Sequence, residues 1–595
     1  MSNLGTVRLV AIGTLLSLIA AFSTFAQTPN TGAMVITVLD QNDAVVPGAS
    51  VSVVNTATGA ARDVVTGDGS VTVVALPLTG TYKVTVSKSG FSPDEVAGIT
   101  LRSGETAEVK IRLNVGGVKN EVEIFGTAEG IRSDPQVGRG FTSRTLDQTP
   151  ILGRKLTFVP LLNSAFRQGK GTGDLFVNQT YFITGVGSRR ATTFTLDGAN
   201  NDEGWGRQTA IATVPLGAVQ EVTVLSNAFS AEYGWTSGPA LNIVTKSGTN
   251  EFHGEGIFLG RPGGSWQAKS FHANDFCPRN LPTCVPPTNL NALNPVDIPD
   301  TLRQFSGAFG GPIVKHKTFF FVAADRTLQD RTAFLSTTLP AWLLPADGHL
   351  DYTGHYRQTL VNGRIDHRFT QNQNLMVRFN YDRMFDDNPQ DAVGGTSAPS
   401  VARRYTRKAW TGQLNHTWVV SNSWLNEARF AYLHGGPVTR WEAQTNSTAY
   451  TRGAGTCQTP TCATATPSVP FTTGQSRSSE LWGKQWQFSD TLSWTHGMHY
   501  FKFGGGITRH RSGGTGNEPG TATLGTFTFL ANTASNTRPL DLNNPANPNA
   551  LKITDVQNYQ QPINFGIDRY DLPQWLITGF VQDSIRVRSD LTIDL

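Results

Sequence analysis

Histidine and cysteine are the side chains best suited to hold a metal or supply a nucleophile, and here their spacing argues against both. The four cysteines fall in two close pairs, Cys277 with Cys284 and Cys457 with Cys462, each in Pro- and Thr-rich sequence without strand alternation. Neither pair has the second ligand pair that a zinc ribbon needs, so in an exported chain they are expected to form two local disulfides pinning loops. None of the eleven histidines is followed three residues later by Glu, which removes the zinc clamp of a metallocarboxypeptidase. His-Glu-x-x-His, Gly-x-Ser-x-Gly and a Walker loop are also absent from the sequence. The glycine clusters Gly185-Val186-Gly187-Ser188 and Gly504-Gly505-Gly506 sit at strand ends and open no helical pattern, so they make poor phosphate cradles. No catalytic constellation, metal or cofactor is expected.

Composition frames what the remaining residues can build. With 61 glycines, 10% aromatics and only 16% charged residues in 595, the chain is too neutral and too Gly-rich for a typical cytosolic enzyme and suits β-structure with many turns. A net charge of +4 without a basic run leaves no nucleic-acid footprint. Arg8, the apolar run Leu9 to Ala21 and Thr24-Phe25-Ala26 before Gln27 are written like a cleaved signal peptide, residues 1–26. The competing reading is a retained helix, but the run is short and Gly13, Thr14 and Ser17 dilute it. No later stretch offers about 20 apolar residues, so any membrane crossing must be made by strands.

Residues 33–114 alternate apolar and polar through Val35 to Val38, Val51 to Val54, Tyr82 to Val86 and Ile111 to Leu113, with a turn at Thr66-Gly67-Asp68-Gly69, which predicts a small antiparallel sandwich. Val46-Pro47-Gly48-Ala49, Gly80-Thr81-Tyr82 and Ser89-Gly90-Phe91 resemble the carboxypeptidase regulatory-like domain, a carbohydrate-binding-like fold. Asp68-Gly69-Ser70-Val71 departs from that family's usual Asp-Gly-x-Tyr, which weakens any ligand expectation.

Short β-branched segments follow at Phe194 to Leu196, Val219 to Leu225 and Leu241 to Thr245, separated by Asp197-Gly198, Ala231-Glu232-Tyr233-Gly234 and Ser247-Gly248-Thr249-Asn250. Their order resembles the plug domain of the Oar-like branch of TonB-dependent outer-membrane receptors. Thr149-Pro150-Ile151-Leu152-Gly153-Arg154 resembles that family's Leu-Pro-Leu-Asn-Gly-Arg turn, with Leu152 in place of Asn. Tyr181 to Gly185, Ser188-Arg189-Arg190 and Phe194 to Gly198 resemble its central core, with Asn200 close behind. The resemblance places an α+β plug at 140–248. Arg154, Arg189, Arg190 and Arg207 are candidate plug-to-wall contacts, the alternative being solvated surface charges. The linker, residues 115–139, carries Glu121-Val122-Glu123-Ile124-Phe125. The segment has two readings: a TonB box that adds to a partner's sheet, or the first strand of the plug.

From residue 249 onward long alternating segments appear. Val361, Gly363, Ile365, His367 and Phe369 share one face and Asn362, Arg364, Asp366 and Arg368 the other. Short turns near Lys315, Asn372, Ser421, Gly497 and Ser589 alternate with long connections, both cysteine pairs fall in the latter, and Trp418, Trp424 and Trp494 cluster beside the former. That asymmetry is the pattern of a transmembrane barrel with a wet lumen, periplasmic turns and extracellular loops. Roughly ten strands and the start of another are legible, against about 22 in plugged transporter barrels. The expected fold is therefore mainly β: an N-terminal β-sandwich, an α+β plug, and the first part of an antiparallel transmembrane barrel in 249–595, incomplete at its C-terminus.

The resemblance implies a receptor in the outer membrane of a Gram-negative-type bacterium, embedded in outer-membrane lipid. It would bind an extracellular small solute or oligosaccharide and import it when TonB and its inner-membrane energising complex pull on the plug. Substrate-binding residues are not assignable from sequence. The second reading is a surface binding or adhesion protein whose barrel is only an anchor. An exported hydrolase is disfavoured by the missing catalytic sets.

Overall fold

The computed structural model describes residues 30–104, 106–115, 137–151, 154–164, 166–168, 182–183, 192–202, 210–227, 231–233, 238–263, 300–335, 351–388, 393–421, 423–441, 449–452, 471–473, 479–515, 526–529, 556–560, 569–588 and 591–595. The Val-rich alternation of the N-terminal part forms β1 (Thr31–Leu39), β2 (Ser50–Asn55), β3 (Ala61–Val65), β4 (Ser70–Pro77), β5 (Tyr82–Ser87), β6 (Asp94–Ile99) and β7 (Thr106–Arg112). They pair as two sheets, β4-β1-β7 and β3-β2-β5-β6. Ile36, Val38, Val51, Val53, Val84, Val86 and Ile111 fill the space between them. Burial of alternate positions on both sheets is what gives a unit of this size its stability. The Tyr82 hydroxyl donates to the carbonyl of Pro77 at 2.6 Å, and desolvation at this buried position raises its pKa. The sandwich is not antiparallel throughout: β7 lies parallel to β1, Ala33 opposite Thr106 and Leu39 opposite Arg112. Alternation reports which face a residue takes but not the direction of its neighbour.

A third sheet, here the plug sheet, ordered β12-β11-β14-β13-β8, is built from β8 (Val137–Thr142), β11 (Thr193–Leu196), β12 (Ala199–Asn200), β13 (Val219–Asn227) and β14 (Ala240–Thr245); β9 (Arg167–Gln168) and β10 (Phe182–Ile183) form a separate pair. Between β8 and the rest lies one short helix, α1 (Ser143–Gln148), whose first turn is capped by Thr142 Oγ1 accepting from the Thr145 amide at 3.3 Å. Phe141, Leu146, Val159, Leu196, Val222 and Val224 close its core. Every residue of β14, the central strand, is buried.

Around this sheet stands a wall of eleven strands joined edge to edge. They are β15 (His253–Arg261), β16 (Thr301–Val314), β17 (Thr318–Phe334), β18 (Asp351–Thr370), β19 (Gln373–Asp386), β20 (Arg403–Ser421), β21 (Trp424–Trp441), β24 (Ser479–His496), β25 (His499–Thr515), β28 (Arg569–Arg588) and β29 (Leu591–Asp594). Neighbours are antiparallel, and tight turns link Val314 to Thr318, Thr370 to Gln373, Ser421 to Trp424, His496 to His499 and Arg588 to Leu591. Those are the short turns expected from the sequence. Two long connections on the opposite side contribute a further sheet from β22 (Ala449–Arg452), β23 (Phe471–Thr473), β26 (Thr526–Phe529) and β27 (Val556–Gln560).

The wall's two faces differ as the alternation requires. Phe305, Val322, Ile365, Val377, Phe379, Leu414, Phe430 and Phe488 are exposed on the outside, while Asn362, Arg378, Asn380, Asp382, Arg407 and Gln413 are buried against the plug sheet. Beside the short turns Trp424 stacks on Trp494 at 5.7 Å and Phe252 on Phe309 at 5.8 Å, and Trp418 is exposed there. No helix among the described residues is long and apolar enough to cross a membrane. The outward side chains thus form a broad apolar surface around the wall.

Candidate functional site

The site is the polar seam between the plug sheet and the wall, and its centre is the turn Asp197-Gly198. Leu196 pairs with Ala199, leaving a two-residue hairpin loop with φ of 47° and 76°. Positive φ at both positions is the geometry for which Asp-Gly is suited, because Asp tolerates the left-handed region and Gly has no Cβ to clash. The turn presents the Asp197 carboxylate to the amide of Thr245 at 2.8 Å and to the Thr245 hydroxyl at 2.9 Å. From the wall, Arg378 Nε lies 2.9 Å and the Arg364 guanidinium 3.7 Å from the same carboxylate. The carbonyl of Asp197 accepts from Gln413 Nε2 at 2.8 Å. Arg364 is held for this task by Asp366, through two bonds of 2.8 Å, and donates to the Thr245 carbonyl at 2.7 Å. Ser247, just past β14, donates to Asp366 at 2.6 Å.

Further contacts follow the same logic. Asp382 on β19 accepts from the amide and hydroxyl of Thr213 at 3.1 and 2.9 Å and pairs with Arg407, while Asn380 donates to the Thr213 carbonyl at 3.0 Å. Gln487 on β24 makes a reciprocal pair with the backbone of Asn200, at 2.9 and 2.7 Å. Glu232 reaches Lys502 on β25 at 2.6 Å, and the Ala231 amide donates to Gln582 at 3.1 Å. The short 3₁₀ turn Leu216–Ala218 touches β16 and β17, and that at Ala231–Tyr233 touches β28, so β13 bridges the lumen between two parts of the wall.

Of the residues singled out from the sequence, Asp197, Gly198 and Asn200 meet at this seam. Arg154 takes φ 52°, and its Nε and one terminal nitrogen are buried without a hydrogen-bond partner among the described residues. The wall carboxylate Asp325 feels its charge. Gly153, Arg189, Arg190 and Arg207, the segment Glu121 to Phe125, and Cys277, Cys284, Cys457 and Cys462 lie outside the described residues, as does residues 1–26. At Asp197 and Glu232 the plug supplies the carboxylates and the wall the cations, whereas Lys246 of the plug lies 4.0 Å from Glu255 of the wall. Sequence reading missed Arg364, Arg378, Gln413, Arg407, Asp382, Gln487 and Lys502. Their signal was present only as polar side chains on the lumen face of strands that could have stayed water-exposed. No group of His, Cys, Asp and Glu able to hold a metal occurs among the described residues.

Lys155, next to Arg154, lies with its ammonium 4.8 Å from the centre of the Tyr356 ring. Desolvation, reinforced by Arg331 and partly offset by Asp386, lowers its pKa to about 8. Between that value and the ordinary lysine range the folded plug binds fewer protons than the unfolded chain, so stability rises with pH across the window. Below it the cost of the buried charge is constant. Denaturant unfolding of the wild type and Lys155→Met at pH 7.5, 9 and 10 is expected to show the variant more stable at pH 7.5 and the gap closing by pH 10. A gap independent of pH would remove Lys155 as its source.

A family model described as an outer membrane beta barrel domain matches residues 244–354 and 349–595, and one described as a carboxypeptidase regulatory-like domain matches residues 34–114. The TonB-dependent transporter Oar of Myxococcus xanthus is 27% identical over 258 residues, 42% of this chain and 22% of the relative. Among solved structures, the outer membrane transporter YddB from Escherichia coli aligns with a TM-score of 0.48 at 11% identity, covering 75% of this chain and 54% of that one. A mutant of the ferric enterobactin receptor PfeA from Pseudomonas aeruginosa aligns with a TM-score of 0.42 at 13% identity, covering 77% and 56%. The chain thus spans about a fifth of the curated relative and about half of these two structures.

Proposed function

The chain belongs to the outer-membrane β-barrel family, and on that premise we propose that it is a TonB-dependent receptor that binds an extracellular solute and passes it to the periplasm. The observation that carries this reading is the seam just described: a folded sheet fills the lumen and is held there by ion pairs and hydrogen bonds. Bonds of that kind can be exchanged for water when the plug moves, whereas a greasy interface would resist sliding. The likeness to Oar supports the same reading. Transport of this kind is binding followed by gated passage, with no covalent step assigned to any residue.

Glu121 to Phe125 are proposed as the segment that TonB grips, and the two cysteine pairs as disulfides of the extracellular loops. The outer-membrane adhesin alternative shares the barrel and loops but needs no pull. Cells carrying the full-length gene, or the same gene without the codons for Glu121 to Thr127, would be offered a mixture of siderophores, vitamins and oligosaccharides. Mass spectrometry would follow depletion of each compound and its recovery inside. A solute captured by both strains but internalised only by the intact one is the expected result. Capture without internalisation by either strain would establish the adhesin instead.

A further inference from the structure

The sandwich is seated on the wall as well as joined to the plug in sequence. Its strand β4 carries a β-bulge, since Leu76 pairs with Gly32 and Val73 with Met34 while the register slips between them. Within the bulge Ala75 takes φ 55°, which a residue with a Cβ adopts only at a cost. A bulge re-aims the side chains it carries. Here it turns Ala75 and Val74 out of the sandwich and into a cluster with Val419 and Leu425, the wall residues flanking the short turn between β20 and β21. Polar contacts extend the seat along neighbouring short turns. Asn250 donates its amide to the Ala57 carbonyl at 2.8 Å and accepts from the His316 amide at 2.7 Å, and Arg62 donates to Asn372 at 2.9 Å.

The same sandwich grips the plug sheet. The Ser103 amide donates to the buried carboxylate of Glu221 at 3.0 Å, Gln220 donates to the Leu78 carbonyl at 3.4 Å, and Val244 of β14 is part of the sandwich core cluster. We infer that the sandwich is a brace: it docks on the short-turn rim through the Val74–Ala75 bulge and holds the plug sheet in place from that side. The interaction surface is the rim at Asn250, His316, Asn372, Val419 and Leu425, and its partner is this chain's own N-terminal domain. The inference concerns the resting state and deepens the transporter reading, in which the brace adds to the resistance a pull must overcome.

Ala75→Asp is the test. Asp is more at ease than Ala in the left-handed region, so the bulge keeps its shape, while a carboxylate set between Val419 and Leu425 opposes docking. In the full-length protein in outer-membrane preparations, Ala57→Cys with Asn250→Cys is expected to form a cross-link on mild oxidation, and Ala75→Asp to slow that reaction at least tenfold. Amide exchange at residues 219–225 and 241–245 is expected to quicken at least tenfold in Ala75→Asp while the sandwich core around Val51 and Val84 stays protected. Arg62→Ala with Arg368→Ala removes the side-chain bonds Arg62 to Asn372 and Arg368 to Thr58 and leaves the sandwich core untouched; it should act in the same direction and covers the case in which Ala75→Asp unfolds the domain. Failure of the cross-link to form, or unchanged plug exchange in the second variant, overturns the brace. Neither readout depends on TonB or on a solute, so loss of the transporter reading leaves this result standing, and the reverse.

Discussion

Replacing Asp197 with Ala is expected to destabilise the seated plug by about 3–5 kcal/mol, the cost of stranding a buried charge when its partner is removed. The Asp197 and Arg378 side chains are 1% and 2% exposed, so neither can recover its lost partner from water. The Thr245 amide and hydroxyl would lose their acceptor at the same time. Asp197→Asn keeps the residue's tolerance of positive φ and one acceptor oxygen, so its cost should be smaller. The double variant Asp197→Asn with Arg378→Met removes both charges together and should cost less than the sum of the two single changes. Amide exchange at β11 and β14 in the full-length protein is the readout, and the Ala variant should open them more readily by on the order of a hundredfold to a thousandfold. A change below about 0.5 kcal/mol would mean that the pair is solvated in the working protein and that the seam is not a latch.

Such a latch also bears on how the plug could be released. A carboxylate shared by Arg378 and Arg364 of the wall is released as a unit: once the plug sheet moves away both ion pairs weaken together, while the two donors of Thr245, on β14 of the same sheet, travel with Asp197. Asp366 would still hold Arg364 after the plug left, because its two bonds lie within β18. Arg378 keeps Gln413 as a wall partner. Both sides of the seam are thus provided for in the open state, the wall by Asp366 and Gln413 and the plug by Thr245. Asp382 shows the same arrangement, since Arg407 remains beside it when Thr213 moves.

Much of the architecture was legible because it is local. Strict alternation separated Ile365 and Val377 from Asn362 and Arg378, and five tight turns at intervals of two strands set the wall's order before any long-range contact was known. The Asp197-Gly198 turn was legible for the same reason, as a dipeptide whose conformation its own residues dictate. What was not legible depends on how distant segments are rotated against each other. The pattern of β19 says that Arg378 and Asp382 point inward but not that one meets the turn at 197 and the other meets Thr213. Arginines of the plug drew attention as its conspicuous charges, yet three of the four described plug-to-wall ion pairs are made by the acids Asp197 and Glu232, and the fourth joins Lys246 to Glu255. The parallel pairing of β1 with β7 was hidden likewise, because direction is set by a crossover and not by alternation. The bulge at Ala75 left no mark in a segment that reads as an ordinary strand.

Phe379→Arg is expected to destabilise the membrane-inserted protein by about 2–4 kcal/mol, whereas Phe369→Arg should cost only about 0–1 kcal/mol. Both phenylalanines are about half exposed on the outer face, so exposure alone does not separate them. Depth does: Phe369 adjoins the short turn at residues 371–372, and Phe379 lies well along β19 from the same turn. Phe379 also stands between Gly363 and Gly412 on the adjoining strands, so a longer side chain meets no neighbouring side chain in its row and the substitution isolates solvation from packing. An arginine near the turn can extend its guanidinium to the headgroups, while one at the level of Phe379 must draw water or lipid headgroups inward. Urea unfolding of the full-length protein in phospholipid vesicles would measure both. Equal and small costs at the two sites would mean that this face meets water, and the apolar row of Val322, Ile365, Val377 and Leu414 would then need another partner.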